Sequence, residues 1–219
     1  MRYQAIIFDM DGTISDSEKL WVKALDTFLA RYNVVVPPEK RDELSQDIVG
    51  TTLTSAIELL KKRFLLDGSV DELSNELAEC ARVLMSTDVE YIENFLDFHA
   101  TLDEHNIKYG IATNADNATL FAIKEALSLD KLFGEHIYNV SHVKRGKPQP
   151  DIYLYAAQKL QISPYACIAI EDSACGIKSA KAANMFCIGI NTHGDVHQLR
   201  EADMIINSYK DIDLAKLLY

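Results

Sequence analysis

The chain has 219 residues, 48% of them apolar and 25% charged, the balance of a globular protein with a sizeable core. A formal charge of −11 excludes a surface suited to nucleic acid or an anionic membrane, so a phosphate-bearing partner must be drawn by a local device. No apolar run can cross a bilayer, MRYQAIIFDMDG is not signal-like, and Cys80, Cys167, Cys175 and Cys187 form no C-x-x-C pair. A reduced, cytoplasmic protein is expected.

The first element is YQAIIF (3–8), a near-continuous apolar run that reads as a strand buried on both faces. It runs into FDMDGTISDS (8–17), where Asp9 and Asp11 stand two positions apart ahead of Gly12, and Ser17 suits a helix N-cap. The next clear strand begins only at residue 108, and the excess is helical. One apolar stripe is Trp21, Leu25, Phe28 and Tyr32; a second is Leu53, Ile57, Leu60 and Phe64; a third is Leu73, Leu77, Cys80 and Leu84. VVVPPE (34–39) and LLDGSVDE (65–72) supply turns between them, and KKR (61–63) reads as a solvated basic face. Residues 17–88 are therefore expected to form a helical domain inserted after the first strand. Beyond it come the strands KYGIAT (108–113), HIYNV (136–140), CIAIE (167–171), FCIGIN (186–191) and MIIN (204–207), alternating with helical patterns such as Leu120, Ile123 and Leu127. That rhythm predicts an α/β fold: a Rossmann-like, doubly wound parallel sheet formed by residues 1–16 and 89–219.

In such a sheet ligands bind outside the carboxyl ends of the strands. The first strand ends in Asp9 and Asp11, the second in Thr113 and Asn114, and CIAIE in Glu171 and Asp172; RGKPQPD (145–151) adds Lys147 between a glycine and a proline. Carboxylates gathered on one rim repel unless a cation neutralises them, and oxygen-only ligands select a hard ion such as Mg²⁺. A lysine and a metal together offset the charge of a phosphoryl group in transfer. One carboxylate can act as nucleophile and a second as general acid and base. Taken singly, each residue is ordinary: Asp-Gly-Thr is turn chemistry, Lys147 a surface lysine, and Glu171 with Asp172 a helix start that favours negative charge. Only the set in register carries the chemistry. His193 and His197, spaced i, i+4 in HGDVH, read as two surface histidines.

DMDGT (9–13), ATN (112–114), GKPQPD (146–151) and IEDSACGIKSAKAANM (170–185) resemble, in order, the four signature motifs of the haloacid dehalogenase superfamily of phosphohydrolases. FDMDGTISDSEKLW (8–21) and the helical insert after it resemble the β-phosphoglucomutase-like branch, with sugar-phosphate phosphatases closest in look. The resemblance implies a Mg²⁺-dependent phosphatase acting on a small phosphorylated metabolite, a sugar or polyol phosphate, through an aspartyl-phosphate. It implies Asp9 as nucleophile and Asp11 as general acid and base. Thr113 and the backbone of Asn114 bind phosphoryl oxygens, and Lys147 pairs with nucleophile and phosphate. The metal is held by Asp9, the Asp11 carbonyl and Asp172, with Glu171 close by. The insert is implied to be a mobile cap that chooses the substrate. Neither nucleic acid nor membrane is expected as a partner, and the chain is expected to be a monomer or weak homo-oligomer.

The sequence departs from the family pattern in places. YIENF (91–95) replaces a Pro-Gly ahead of the helix before the second motif, and AANM replaces Ala-Gly-Met, with Asn184 suited to a left-handed turn. DIVGTTLTS (47–55) lacks the basic residues of the sugar-phosphate mutases, and Trp21 stands where they carry a histidine. A phosphosugar mutase is the same-site alternative; a catalytically retired binding or regulatory module on the same fold is the alternative of another class. The cap lacks the lysine of a phosphonate hydrolase near that glycine, and Asp11 argues against a dehalogenase.

Overall fold

The structure is a computed structural model that describes residues 2–37, 39–41, 44, 48, 53–192 and 194–218. Its centre is β1 (Ala5–Phe8), whose four side chains are all buried. Burying Ile6, Ile7 and Phe8 contributes about 1.5–3 kcal/mol each, enough to hold the strand in place although it leads straight into acidic residues. β1 pairs in parallel with β2 (Lys108–Ala112) on one side, with Ile7 opposite Gly110. On the other side lies β4 (Cys167–Glu171), with Ile7 opposite Ala169. β3 (Ile137–Tyr138), β5 (Phe186–Ile190) and β6 (Met204–Ile206) complete a six-stranded sheet in the order β3-β2-β1-β4-β5-β6. This is the doubly wound topology expected of the sequence, and its order reverses beside β1, where such sheets place a ligand.

The chain divides into two compact units, Met1–Ser17 with Val89–Tyr219, and Glu18–Asp88. The second unit contains α1 (Glu18–Arg31), α2 (Leu53–Phe64) and α3 (Val70–Asp88). α1 and α3 pack on each other, and the Tyr32 hydroxyl donates to Glu76 Oε2 at 2.9 Å. The buried face of α1 is Leu20, Ala24, Leu25, Phe28 and Leu29, so the stripe starts one residue earlier than expected and leaves Trp21 half-buried. Residues 47 and 49–52 of the stretch compared with the mutases lie outside the described residues.

The first unit carries α4 (Phe95–Glu104), α5 (Asn117–Leu127), α6 (Leu129–Phe133), α7 (Asp151–Leu160), α8 (Ala174–Ala182) and α9 (Leu214–Leu218). Alternation along β1 sorts them onto two faces. Ala5 and Ile7 share a core with Ile152, Tyr153 and Ala156 of α7 and with Ile177 and Ala180 of α8. Phe8 meets the rings of Phe95, Phe133 and Tyr209, with centroids 5.6, 5.9 and 6.5 Å away. Asn94 begins α4 with φ 66°, taking the left-handed conformation at the place of the absent Pro-Gly, and Asn184 does the same after α8 with φ 60°. Cys80, Cys167 and Cys187 are buried and reduced, whereas Cys175 is exposed. Among the described residues no helix is long and apolar enough to cross a membrane.

Candidate active site

The turn after β1 folds around one carbonyl. Met10 O accepts from the backbone N–H groups of Thr13, Ile14 and Ser15 at 3.3, 2.8 and 2.9 Å. Gly12, at φ 77°, supplies the left-handed residue that this reversal needs. The turn is also anchored from behind. The hydroxyl of Thr192 donates to Gly12 O at 2.7 Å, and that of Tyr209 to Thr13 O at 2.9 Å. Asp9, held by its N–H to Ile170 O at 2.9 Å, is buried, while Asp11 is half-buried and accepts from the Ser17 hydroxyl at 2.7 Å. Ser17 stands directly before α1, as expected, and the hydroxyl thus serves Asp11 as a donor.

Thr113 follows β2 and is 1% exposed; its Oγ1 accepts from the Ala115 N–H at 3.0 Å. Asn114 uses its side chain to fasten the lysine loop: Nδ2 donates to Lys147 O at 3.1 Å, and Oδ1 accepts from Lys147 N at 2.8 Å. A Cβ at Gly146 would lie 2.6 Å from Asn114 Oδ1, so the close approach requires glycine. Arg145 grips Asp151 with two bonds, of 3.1 and 2.8 Å, and steadies the same loop from its outer side.

Lys147 is 9% exposed; its ammonium donates to Asp9 Oδ1 and, at 2.6 Å, to Glu171 Oε1. Glu171 is fully buried and accepts from four donors. Lys147 and the Tyr153 hydroxyl (2.8 Å) reach Oε1; the Ser173 hydroxyl (3.1 Å) and N–H (3.4 Å) reach Oε2. A Cβ at Gly176 would lie 1.7 Å from Glu171 Oε1, so the carboxylate occupies the space that any other residue there would fill. Thr13 Oγ1 donates to Asp172 Oδ1 at 3.2 Å.

Of the residues singled out in the sequence, Asp9, Glu171 and Asp172 bring carboxylate oxygens within 4.8 Å of one another. At that separation, with an effective dielectric of about 20, each like-charged pair costs roughly 3 kcal/mol. Burial and then the carboxylates of Glu171, Asp172 and Asp11 raise the Asp9 carboxyl well above its ordinary range, against the opposing pull of Lys147. Asp11 is raised too, first by burial and then by Asp172, although the Ser17 hydroxyl draws it down. Burial alone would lower the Lys147 ammonium, but Asp9 and Glu171 outweigh it, and the lysine stays charged. Burial and then the Glu171 and Asp9 carboxylates keep the Tyr153 phenol protonated, and so a donor. A rim of oxygen donors with more negative charge than one ammonium can offset fits a hard divalent cation.

Tyr153, Ser173, Gly176 and Thr13 were not among the expected site residues. Thr13, Ser173 and Gly176 lie inside the motifs quoted above without a role of their own assigned, whereas the spacing of Tyr153 carries no signal, because it acts on a carboxylate that approaches from another element. His197 is exposed in the 3₁₀ turn Val196–Leu199, and His193 lies outside the described residues.

A parallel sheet reversing beside β1, with paired aspartates after that strand and a buried lysine facing them, defines a class, and the family comparison agrees with it. The chain belongs to the haloacid dehalogenase-like hydrolases, whose pattern matches residues 6–190. Among individual relatives, hexitol phosphatase A of Escherichia coli K12 is 28% identical over 99% of this chain and 96% of its own. The β-phosphoglucomutase of Bacillus subtilis 168 is 27% identical over 98% of this chain and 93% of its own. A haloacid dehalogenase family hydrolase of Deinococcus radiodurans R1, solved with bound phosphate and sodium, superposes with a TM-score of 0.80 at 26% identity. It covers 99% of this chain and 96% of that one.

Proposed function

We propose that this phosphoric monoester hydrolase releases phosphate from a small sugar or polyol phosphate, with Mg²⁺ at the acidic rim. The observation that carries the reading is the buried Lys147 ammonium bonded to both Asp9 and Glu171 beside Asp172. Similarity to a hexitol phosphatase and to a hydrolase solved with phosphate supports the substrate class.

The proposed chemistry has two halves. A carboxylate oxygen of Asp9 attacks phosphorus, an O–P bond forms, and the bond to the sugar oxygen breaks while Asp11 gives that oxygen its proton. Asp11, now a carboxylate, then takes a proton from water as the water attacks the aspartyl-phosphate; inorganic phosphate leaves and Asp9 is regenerated. The raised Asp11 carboxyl suits a group that must carry a proton at the start. Lys147 orients Asp9 and neutralises the phosphoryl oxygens, while Thr113 and the backbone of Asn114 bind them. Asp9, Asp172 and the Asp11 carbonyl would hold Mg²⁺, with Glu171 close by; bound there, the ion supplies positive charge against the transferring group. The helical unit Glu18–Asp88 is the proposed selector of the sugar part of the substrate.

The direct test is phosphate release from a panel of sugar and polyol phosphates, with Mg²⁺ and with chelator. Release that depends on Mg²⁺ is expected; activity indifferent to chelator overturns the reading. Similarity to a β-phosphoglucomutase favours a mutase as the second reading. Isomerisation of a hexose phosphate without net phosphate release, activated by a bisphosphate, would select it.

The metal can also be tested through stability. Asp9 and Asp11 titrate above their ordinary value of 3.8, so the folded protein binds more protons than the unfolded chain over that window. Their contribution to stability therefore falls as pH rises through it. A bound cation offsets the carboxylate repulsion only where they are ionised, so the gain in melting temperature from Mg²⁺ should be larger at about pH 8 than at about pH 5. Calorimetric melts at both pH values check this, and an equal or larger gain at the acid pH contradicts it.

A further inference from the structure

We propose that Tyr153 is a positioning residue of the phosphoryl site, its hydroxyl and ring together aiming the Lys147 ammonium at Asp9. Tyr153 sits in the first turn of α7, fully buried in the core that also holds Ile7 of β1. Its hydroxyl donates to Glu171 Oε1 at 2.8 Å, the same oxygen that accepts from Lys147 at 2.6 Å. Its ring lies under the Lys147 ammonium, 4.9 Å from nitrogen to centroid. One side chain therefore touches both members of the ion pair.

Glu171 and Asp9 compete for the one ammonium, and Glu171 is the more deeply buried of the two. Without a second donor on Oε1, the whole attraction of that oxygen falls on Lys147 and draws it away from Asp9. The tyrosine hydroxyl removes part of that attraction, and the ring face gives the cation a second resting surface. The remaining oxygen, Oε2, is held by Ser173 at the start of α8, so both oxygens of Glu171 are tied by donors. Phenylalanine would keep the volume and the ring yet leave Oε1 short of one donor.

The inference rests on the proposed roles of Asp9 and Lys147, and its test separates the two. Tyr153→Phe is compared with wild type by hydrolysis kinetics, by Mg²⁺ titration calorimetry and by thermal melting. Removal of an outer support of a metal site lowers metal affinity or activity by roughly 10–100-fold. A fall in kcat of that size is expected, with KM changed by less than about threefold and Mg²⁺ bound about tenfold more weakly. In a Glu171→Gln background the hydroxyl no longer shields a charge, so adding Tyr153→Phe should change kcat by less than about threefold. A purely structural role would instead lower the melting temperature and give additive losses in the double variant. Unchanged kcat and Mg²⁺ affinity wherever the variant is folded, or additive losses, overturns the proposal. Should the wild type hydrolyse no phosphoester, the functional reading fails, while the Mg²⁺ titration of the two proteins still decides the role of Tyr153.

Discussion

Asp9→Asn should abolish phosphate release while leaving the protein at least as stable as wild type. Loss of a covalent nucleophile lowers kcat by on the order of 10⁴–10⁶-fold, since the other groups cannot substitute for the missing bond. Asparagine has nearly the same shape, so the turn around Met10 O and the strand before it persist. What disappears is one of three carboxylates crowded within 4.8 Å. The metal-free variant should therefore melt no lower than wild type, and Lys147 keeps Glu171 as its partner. Phosphate assays and calorimetry check the two halves together; residual activity within about 100-fold of wild type contradicts the nucleophile role.

Lys147→Met has the opposite signature in stability. It removes the ammonium between Asp9 and Glu171 and leaves two buried carboxylates facing each other. Breaking a buried pair by removing one partner costs about 3–5 kcal/mol, and here both partners are on the abandoned side. Urea denaturation of the metal-free variant should show a loss of that order, recovered in part by lowering the pH, because protonating Asp9 relieves the repulsion. Activity should fall by about 10²–10³-fold through the loss of a positive group aimed at the phosphoryl oxygens. A variant as stable as wild type at neutral pH would mean that the lysine offsets little of the local charge.

These residues were readable because strand physics exposes them. A run as apolar as YQAIIF is buried wherever it lies in a parallel sheet, and polar residues at its carboxyl end stand at the rim. Asp9, Thr113, Lys147, Glu171 and Asp172 follow from that rule together with the family motifs. Strand ends were less legible: HIYNV pairs only at Ile137–Tyr138, because Asn139 turns its side chain to the N–H of Ser141. Tyr153 reads as an ordinary apolar helix position; only the fold shows that its hydroxyl ends beside Glu171. The glycines at 146 and 176 stand inside the quoted motifs, and only the fold shows the side chains that require them, Asn114 and Glu171 respectively. Such requirements arise from distances across the fold, which sequence spacing does not encode.

Thr192 and Tyr209 grip the turn that carries Asp11, and that arrangement bears on how the protein is made. The hydroxyls that brace it come 180 and 196 residues after the carbonyls they hold, so the turn is made well before its supports. β1 likewise waits for β2 and then for β4 before both of its edges are paired. The site is therefore locked only after residue 209 is in place, and a chain lacking that tyrosine would carry Asp9 and Asp11 on a turn braced from behind by Thr192 alone.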